Sequence, residues 1–248
     1  MRRQEEHRQQ GVFVAEGEKV VRRLIESPLR ILSVLLPPRW LPDFQRLLEQ
    51  RGADVRVYVA DKERLESLTG FSMYQGLLAL ARVPDPIGLD QILGGAPPPR
   101  LLVAVEGLSS AENLGTLVRN AAALGVQGFV AGETCASPYL RRAVRTSMGA
   151  VFRLPILETS SLVRTLAGLR DSGIRCVAAH PHADQRTLAE ADLGGDCCLV
   201  FGSEGYGLTP GVLQACDEAV SLPMQRGVDS LNVASAAAVF LYEASRQR

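Results

Sequence analysis

Leu222-Pro-Met-Gln-Arg-Gly-Val-Asp-Ser-Leu-Asn-Val233 separates a short apolar run, Ala219-Val-Ser-Leu222, from an alanine-rich stretch whose spacing predicts a helix from Leu231 to about Ser245. Pro223 directly after a strand stops ladder pairing. The stretch therefore reads as a strand-to-helix crossing, the place where an α/β protein usually holds a ligand. Ser230 is the natural N-cap of the helix, with Asn232 in its first turn. The small residues Ala234, Ser235, Ala236, Ala237 and Ala238 allow that helix to pack closely, in the core or across a dimer interface.

The same alternation extends upstream. Apolar runs predict strands at Leu101–Val105, Gly128–Ala131, Ile174–Ala179, Cys198–Phe201 and Ala219–Leu222, with another near Phe152–Ile156. Helical spacing falls between them, at Leu114–Leu124, Tyr139–Met148, Leu162–Asp171, Pro210–Ala215 and Leu231–Ser245. Continuous apolar strands alternating with amphipathic helices imply an α/β fold with a parallel sheet covered on both faces. Ile87–Arg100 holds Gly88, Gly94, Gly95 and Pro97-Pro-Pro99, so residues 86–100 read as a linker between domains at 1–85 and 101–248. The first domain reads as a small α/β/α sandwich. Strands are predicted at Val12–Val14, Leu32–Leu36, Asp54–Val59 and Gly76–Ala81, and helices at Glu16–Ser27, Asp43–Gln50 and Ala60–Leu68.

Composition excludes several classes. The chain has 248 residues, 46% of them hydrophobic, ample for a packed core. No apolar run is long enough to span a membrane, and the charged N-terminus is not followed by a signal-peptide segment, so a cytoplasmic protein is expected. The five cysteines, Cys135, Cys176, Cys197, Cys198 and Cys216, lack C-x-x-C spacing, which indicates neither zinc nor a disulfide framework. Cys197 and Cys198 lie in an apolar run and read as buried thiols. Zero net charge argues against indiscriminate nucleic-acid binding. Yet Lys19 and Lys62 are the only lysines among 27 basic residues. Arginine forks match phosphates and stack on bases, although genomic GC bias also enriches arginine. Local clusters occur at Arg2, Arg3, Arg8, Arg22 and Arg23, and at Arg141, Arg142 and Arg145.

Two further stretches carry chemistry. In Glu106–Asn120, Leu114, Leu117, Val118, Ala121 and Ala122 form a buried stripe, with Arg119 on its flank beside Gly115. Asn113 lies six positions before Arg119, so the two converge only if Asn113 is on the loop before the helix; it also suits an N-cap. The alternative for Arg119 is a surface ion pair. In Leu199–Pro210 a buried strand runs into Gly202, Gly205 and Gly207. Glycines there admit a close ligand or positive φ. Their order, G-x-x-G-x-G late in the domain, disfavours a nicotinamide dehydrogenase. Thr209 and Pro210 make an N-cap and N1 pair. Glu204, between glycines, is either a turn residue or a site carboxylate.

Together, Asn113-Leu-Gly-Thr-Leu-Val-Arg119, Gly202-Ser-Glu-Gly-Tyr-Gly-Leu208 and Leu222-Pro-Met…Ser230-Leu-Asn-Val233 resemble the SpoU/TrmH family of AdoMet-dependent RNA ribose 2′-O-methyltransferases, within the trefoil-knotted SPOUT superfamily. The resemblance covers about residues 100–246. Leu222 stands where the family usually has isoleucine, and Arg226 where glycine is common, so Arg226 either crowds its loop or contacts RNA. Residues 5–83 resemble more loosely the L30e-like substrate-binding domain that often precedes such enzymes, through Phe13-Val-Ala-Glu-Gly17 and Gln75-Gly-Leu-Leu-Ala79.

The resemblance implies a C-terminal knot that holds AdoMet near Gly202, Leu222, Met224 and Leu231. It implies a homodimer with the last helix in the interface and sites completed across subunits. It also implies catalytic roles for Arg119, Asn113, Glu204, Ser230 and Asn232. Since arginine stays protonated in proteins, Arg119 reads better as a cation that grips the adjacent phosphate and stabilises a developing alkoxide than as a base. Arg141, Arg142 and Arg145 are expected to meet RNA phosphates, a solvated helix face being the alternative. His180 and His182 follow a strand end, with no third metal ligand evident; no metal is implied. The two-domain layout resembles the branch of the family that acts on 23S rRNA. A tRNA methyltransferase and a catalytically inactive RNA-binding protein on the same fold remain the alternatives.

Overall fold

The structure is a computed structural model that describes residues 10–51, 54–69, 76–181 and 186–248. Contacts divide the chain into two compact units. One holds the residues up to Asp85 together with Pro138–Arg153; the other holds Pro86–Ser137 and Leu154–Arg248.

The first unit opens with β1 (Val12–Glu16), α1 (Glu18–Ile25), β2 (Ile31–Leu36), α2 (Leu41–Glu49), β3 (Arg56–Val59), α3 (Lys62–Thr69) and β4 (Leu78–Arg82). The strands lie in the order β1-β4-β2-β3, antiparallel except for β2 with β3. Val20, Val21, Leu24 and Ile25 are the buried stripe of α1, as their spacing predicts. Strand β3 departs from expectation. All four of its residues are exposed; it is the edge strand, and among the described residues no strand pairs with its outer side.

The second unit begins with α4 (Leu89–Gly95), inside the stretch read above as a linker. The Gly and Pro residues are there, but Leu89, Ile92 and Leu93 repeat at helical spacing and pack into the core. Ile92 lies so close to Gly128 that a Cβ on that glycine would come within 2.4 Å of its Cγ2. A buried Ile contributes about 1.5–3 kcal/mol, so residues 86–100 are part of the unit's packing. The chain continues through β5 (Leu101–Val105), α5 (Ala111–Ala123), β6 (Gly128–Ala131), α6 (Arg141–Thr146), β7 (Ile156–Glu158), α7 (Leu162–Asp171), β8 (Arg175–Ala179), β9 (Cys197–Phe201), α8 (Pro210–Ala215), β10 (Glu218–Val220) and α9 (Val233–Arg246). The sheet is wholly parallel, in the order β10-β8-β9-β5-β6-β7. The two central strands, β5 and β9, pair from Leu101↔Cys197 to Val105↔Phe201 and are buried throughout, as a sheet covered on both faces requires.

Helix α6 lies in a segment that contacts group with the first unit, although the sequence order puts it in the second. Phe13 of β1 meets Tyr139 and Phe152 at ring-centroid distances of 5.5 and 5.6 Å. The buried carboxylate of Glu16 accepts a 2.7 Å charged hydrogen bond from Arg141. These contacts join residues more than a hundred positions apart, which no local pattern signals. Among the described residues no helix is long and apolar enough to cross a membrane.

Candidate active site

The carboxyl ends of β8 and β9 and the chain leaving β10 surround a cavity of about 290 Å³. Its floor is Phe201 and Phe240, whose rings meet edge to face at 5.7 Å. One wall is the loop from Gly202 to Gly207; the other is formed by Leu222, Met224, Asp229, Ser230 and Leu231. The stretches 202–208 and 222–233 thus face one space, and Gly202, Leu222, Met224 and Leu231 all line it. His180 and Pro181 border the same cavity, whereas His182 lies outside the described residues.

The 202–208 loop is closed on itself. Ser203 N–H donates to Gly207 O at 3.1 Å, and Gly207 N–H returns to Ser203 O at 2.9 Å. Tyr206 N–H donates to Ser203 Oγ at 3.2 Å. Gly207 has φ of +66°, a conformation open to glycine at little cost. Gly202 is required for a different reason. A Cβ there would lie 2.2 Å from the carbonyl carbon of Gly207, so it is the returning loop that forbids a side chain. Glu106, just past β5, fastens the loop's exit by accepting from Thr209 N–H at 2.8 Å and Thr209 Oγ at 2.7 Å. Thr209 in turn caps α8, accepting from Val212 N–H, with Pro210 at the first helical position.

Three of the five expected catalytic residues converge beside this cavity. Asn113 Nδ2 donates to Glu204 Oε1 in a short hydrogen bond. Asn232 Nδ2 donates to the same Glu204 oxygen at 2.8 Å and lies 3.2 Å from Asn113 Oδ1. One carboxylate oxygen is thus held by two amides from different helices. Asn113 sits within the first turn of α5; the N-cap is Ser110, whose hydroxyl accepts from Asn113 N–H at 3.3 Å. With Asn113 inside the helix, six positions before Arg119, the two are not brought together; the first-turn side chain of Asn113 reaches Glu204 and Asn232 instead. The other cap also differs from expectation. Asn232, not Ser230, caps α9, accepting from Ala234 N–H at 3.0 Å and Ser235 N–H at 3.3 Å. Ser230 stays in the loop and lines the cavity.

Arg119 is exposed on α5 and is not among the residues that line the cavity. Its neighbour Asn120 donates to Ala234 O at 2.9 Å and so ties α5 to the first turn of α9. Composition gave Asn120 and Glu106 no distinction. The available hint for Glu106 was its position, one residue past a buried strand, like the glycine loop past β9. Burial raises the thiols of Cys135, Cys197 and Cys216, the last to about 12, so none is primed as a nucleophile. Of the three mid-chain arginines, Arg141 is bound to Glu16, while Arg142 and Arg145 are exposed, Arg145 lying 4.0 Å from the same carboxylate.

The model of the SpoU rRNA methylase family matches residues 100–242. The chain belongs to the SpoU rRNA methylase family. It is accordingly an AdoMet-dependent RNA methyltransferase. A protein of Mycobacterium tuberculosis H37Rv, named as an uncharacterized tRNA/rRNA methyltransferase, is 38% identical over 95% of this chain and 81% of its own length. The 23S rRNA (guanosine-2′-O-)-methyltransferase RlmB of Ralstonia nicotianae is 35% identical over 85% of this chain and 84% of its own. Among solved structures, the SpoU methyltransferase AviRb of Streptomyces viridochromogenes in complex with AdoMet superposes with a TM-score of 0.83 at 26% identity, covering 97% of this chain and 92% of that one.

The cavity suits the cofactor of this family. Leu222, Met224, Leu231, Val233 and Phe240 offer apolar surface suited to an adenine ring and the alkyl groups around a sulfonium, and Gly202, Gly205 and Gly207 leave backbone accessible. AdoMet held there would supply an activated methyl. The chain's own residues hold Glu204, through Asn113 and Asn232, at the cavity edge.

Proposed function

We propose that this protein methylates a ribose 2′-hydroxyl of structured RNA, with 23S rRNA the preferred class. The observation that carries the reading is the Asn113–Glu204–Asn232 network beside a cavity lined by Gly202, Leu222, Met224 and Leu231. The ribosomal preference draws support from the R. nicotianae relative, the transfer-RNA alternative from the mycobacterial names. In this reading, much of the rate comes from holding ribose and methyl donor in line. Glu204, Asn113, Asn232 and Ser230 organise the cavity edge. Arg119, which stays cationic, grips the phosphate beside the target ribose and offsets charge developing on its oxygen. The released proton passes to that phosphate or to water.

Since Arg119 is exposed away from the cavity lining, it reaches a reacting ribose most simply in a homodimer whose second copy completes the site. Val239 and Tyr242, 40% and 62% exposed on α9, are apolar surface suited to that contact. The stretch 222–232 is the segment expected to thread the knot. The first unit serves as the L30e-like RNA-binding domain, and Arg142 and Arg145 add phosphate contacts while Arg141 is committed to Glu16. A cytoplasmic location follows from such a substrate.

The test is transfer of labelled methyl from AdoMet to purified 23S rRNA, 16S rRNA and tRNA from a strain lacking the gene, followed by mapping of bonds resistant to alkali. A resistant bond in 23S rRNA is expected. Methylation confined to tRNA selects the alternative. AdoMet binding without transfer to any RNA overturns the catalytic reading in favour of an inactive RNA-binding protein.

A further inference from the structure

Tyr206 is 97% exposed, the most exposed large hydrophobic side chain among the described residues. A ring in that position contributes almost nothing to the core. It is nevertheless not on a loose loop. The paired hydrogen bonds between Ser203 and Gly207, and the bond from Tyr206 N–H to Ser203 Oγ, fix its backbone. Packing of Gly202 against Gly207 and the Glu106–Thr209 clamp fix the loop's two roots. Tyr206 lines the cavity and stands two residues from Glu204. Across the cavity, Leu231 is also exposed, 42%, so apolar surface lines the mouth from both loops.

We propose that Tyr206 is the stacking platform for the base of the nucleotide whose ribose is methylated. The inference rests on the RNA-methyltransferase reading and adds a substrate-contacting residue to it. A ribose brought to the cavity mouth carries its base with it, and that base must leave its neighbours in the RNA stack. Unstacked bases are recognised through aromatic faces, and an exposed ring on a fixed backbone provides one at little ordering cost. The phenol hydroxyl has no necessary part in stacking, so phenylalanine should serve as well. A platform also tolerates any base. Tyr206 would therefore set affinity for the unstacked nucleotide, and its identity would be read elsewhere.

The experiment compares wild type, Tyr206→Phe and Tyr206→Ala as full chains, using the RNA class that the wild type methylates. Tyr206→Ala should raise KM for RNA about tenfold or more, the range for loss of one base–aromatic stack, with AdoMet affinity by calorimetry and sedimentation behaviour unchanged. Tyr206→Phe should match wild type. Three results overturn the proposal: an unchanged KM in Tyr206→Ala; a loss confined to AdoMet affinity, which makes the ring a cofactor cover; or a fall in oligomeric state, which assigns the ring to a subunit contact. If the wild type methylates no RNA, it is the enzymatic reading that fails, so the two failures are distinct.

Discussion

The two walls of the cavity are built in opposite ways. The 202–208 loop is fastened at both roots and across its waist, by Gly202 against Gly207, by Ser203 paired with Gly207, and by Glu106 on Thr209. The 222–232 segment has no helix or strand over most of its length and exposes every residue from Gln225 to Asn232. It is held mainly at its ends, where Ser221 N–H donates to Arg186 O at 3.0 Å and Asn232 caps α9. One wall is shaped before any ligand arrives; the other has few internal bonds and is free to adjust to what it encloses. Substitutions in the first wall should therefore cost structure and cofactor binding together. In the second they should separate the two.

The largest effect is expected at the waist of the fastened wall. Gly202→Ala places a methyl 2.2 Å from backbone, which cannot move aside as a side-chain tip can. Overpacking of this kind costs about 3 kcal/mol. If that cost falls on the loop, AdoMet affinity should drop about a hundredfold. Thermal unfolding and calorimetric titration read both. An alanine variant with native affinity would show that the loop is not preformed.

Asn232 stands where the second wall ends, and two variants separate its two roles. Asn232→Ala removes the cap, about 1 kcal/mol, and also removes the donors to Glu204 and Asn113. Asn232→Asp keeps an acceptor for Ala234 and Ser235 but sets a carboxylate against Glu204. Methyl transfer should fall about a hundredfold in both, as misplaced catalytic groups do. Loss of melting temperature should appear in the alanine variant alone. Equal destabilisation would mean that the network, not the cap, holds the wall's end.

A milder effect is expected from Glu106→Gln, which keeps one acceptor for Thr209 and turns an amide toward the other donor. Loss of one such bond is worth about 1 kcal/mol, or roughly fivefold in AdoMet affinity. No change at all would remove Glu106 from the fastening of the first wall.

The walls also differ in how much of them could be read from sequence. Strands β5, β8 and β9 were legible because a doubly covered parallel strand is a continuous apolar run, and α5 because its buried stripe repeats at helical spacing. The glycine loop was legible as a loop, although Gly202 is glycine because Gly207 lies against it, a contact that depends on the loop's return. At the end of the second wall the cap lies two residues beyond the expected Ser230, since Ser230 and Asn232 are both good caps and local chemistry does not choose between them. Helix α4 was hidden by the Gly and Pro around Leu89, Ile92 and Leu93. Placement of residues 138–153 with the first unit depends on Phe13 meeting Tyr139 and Phe152, and on Glu16 meeting Arg141. Such distant pairings leave no periodic trace.

The smallest effect is expected within the second wall, at Arg226, where the family resemblance leads one to expect glycine. Crowding by this side chain would strain the loop and weaken cofactor binding, so Arg226→Gly would then bind AdoMet more tightly. The structure argues otherwise. Arg226 is exposed, and its neighbours Gln225 and Gly227 are exposed with it, so there is little for it to press against. Stability should stay within about 0.5 kcal/mol of wild type, as for most surface substitutions. AdoMet affinity should not change. The remaining use of a cation on this rim is to meet a phosphate of the RNA. The slope of log affinity against log salt should then become shallower by about one, the loss of a single phosphate contact. An unchanged slope with tighter AdoMet binding would reverse the assignment and show that the adjustable wall is constrained after all.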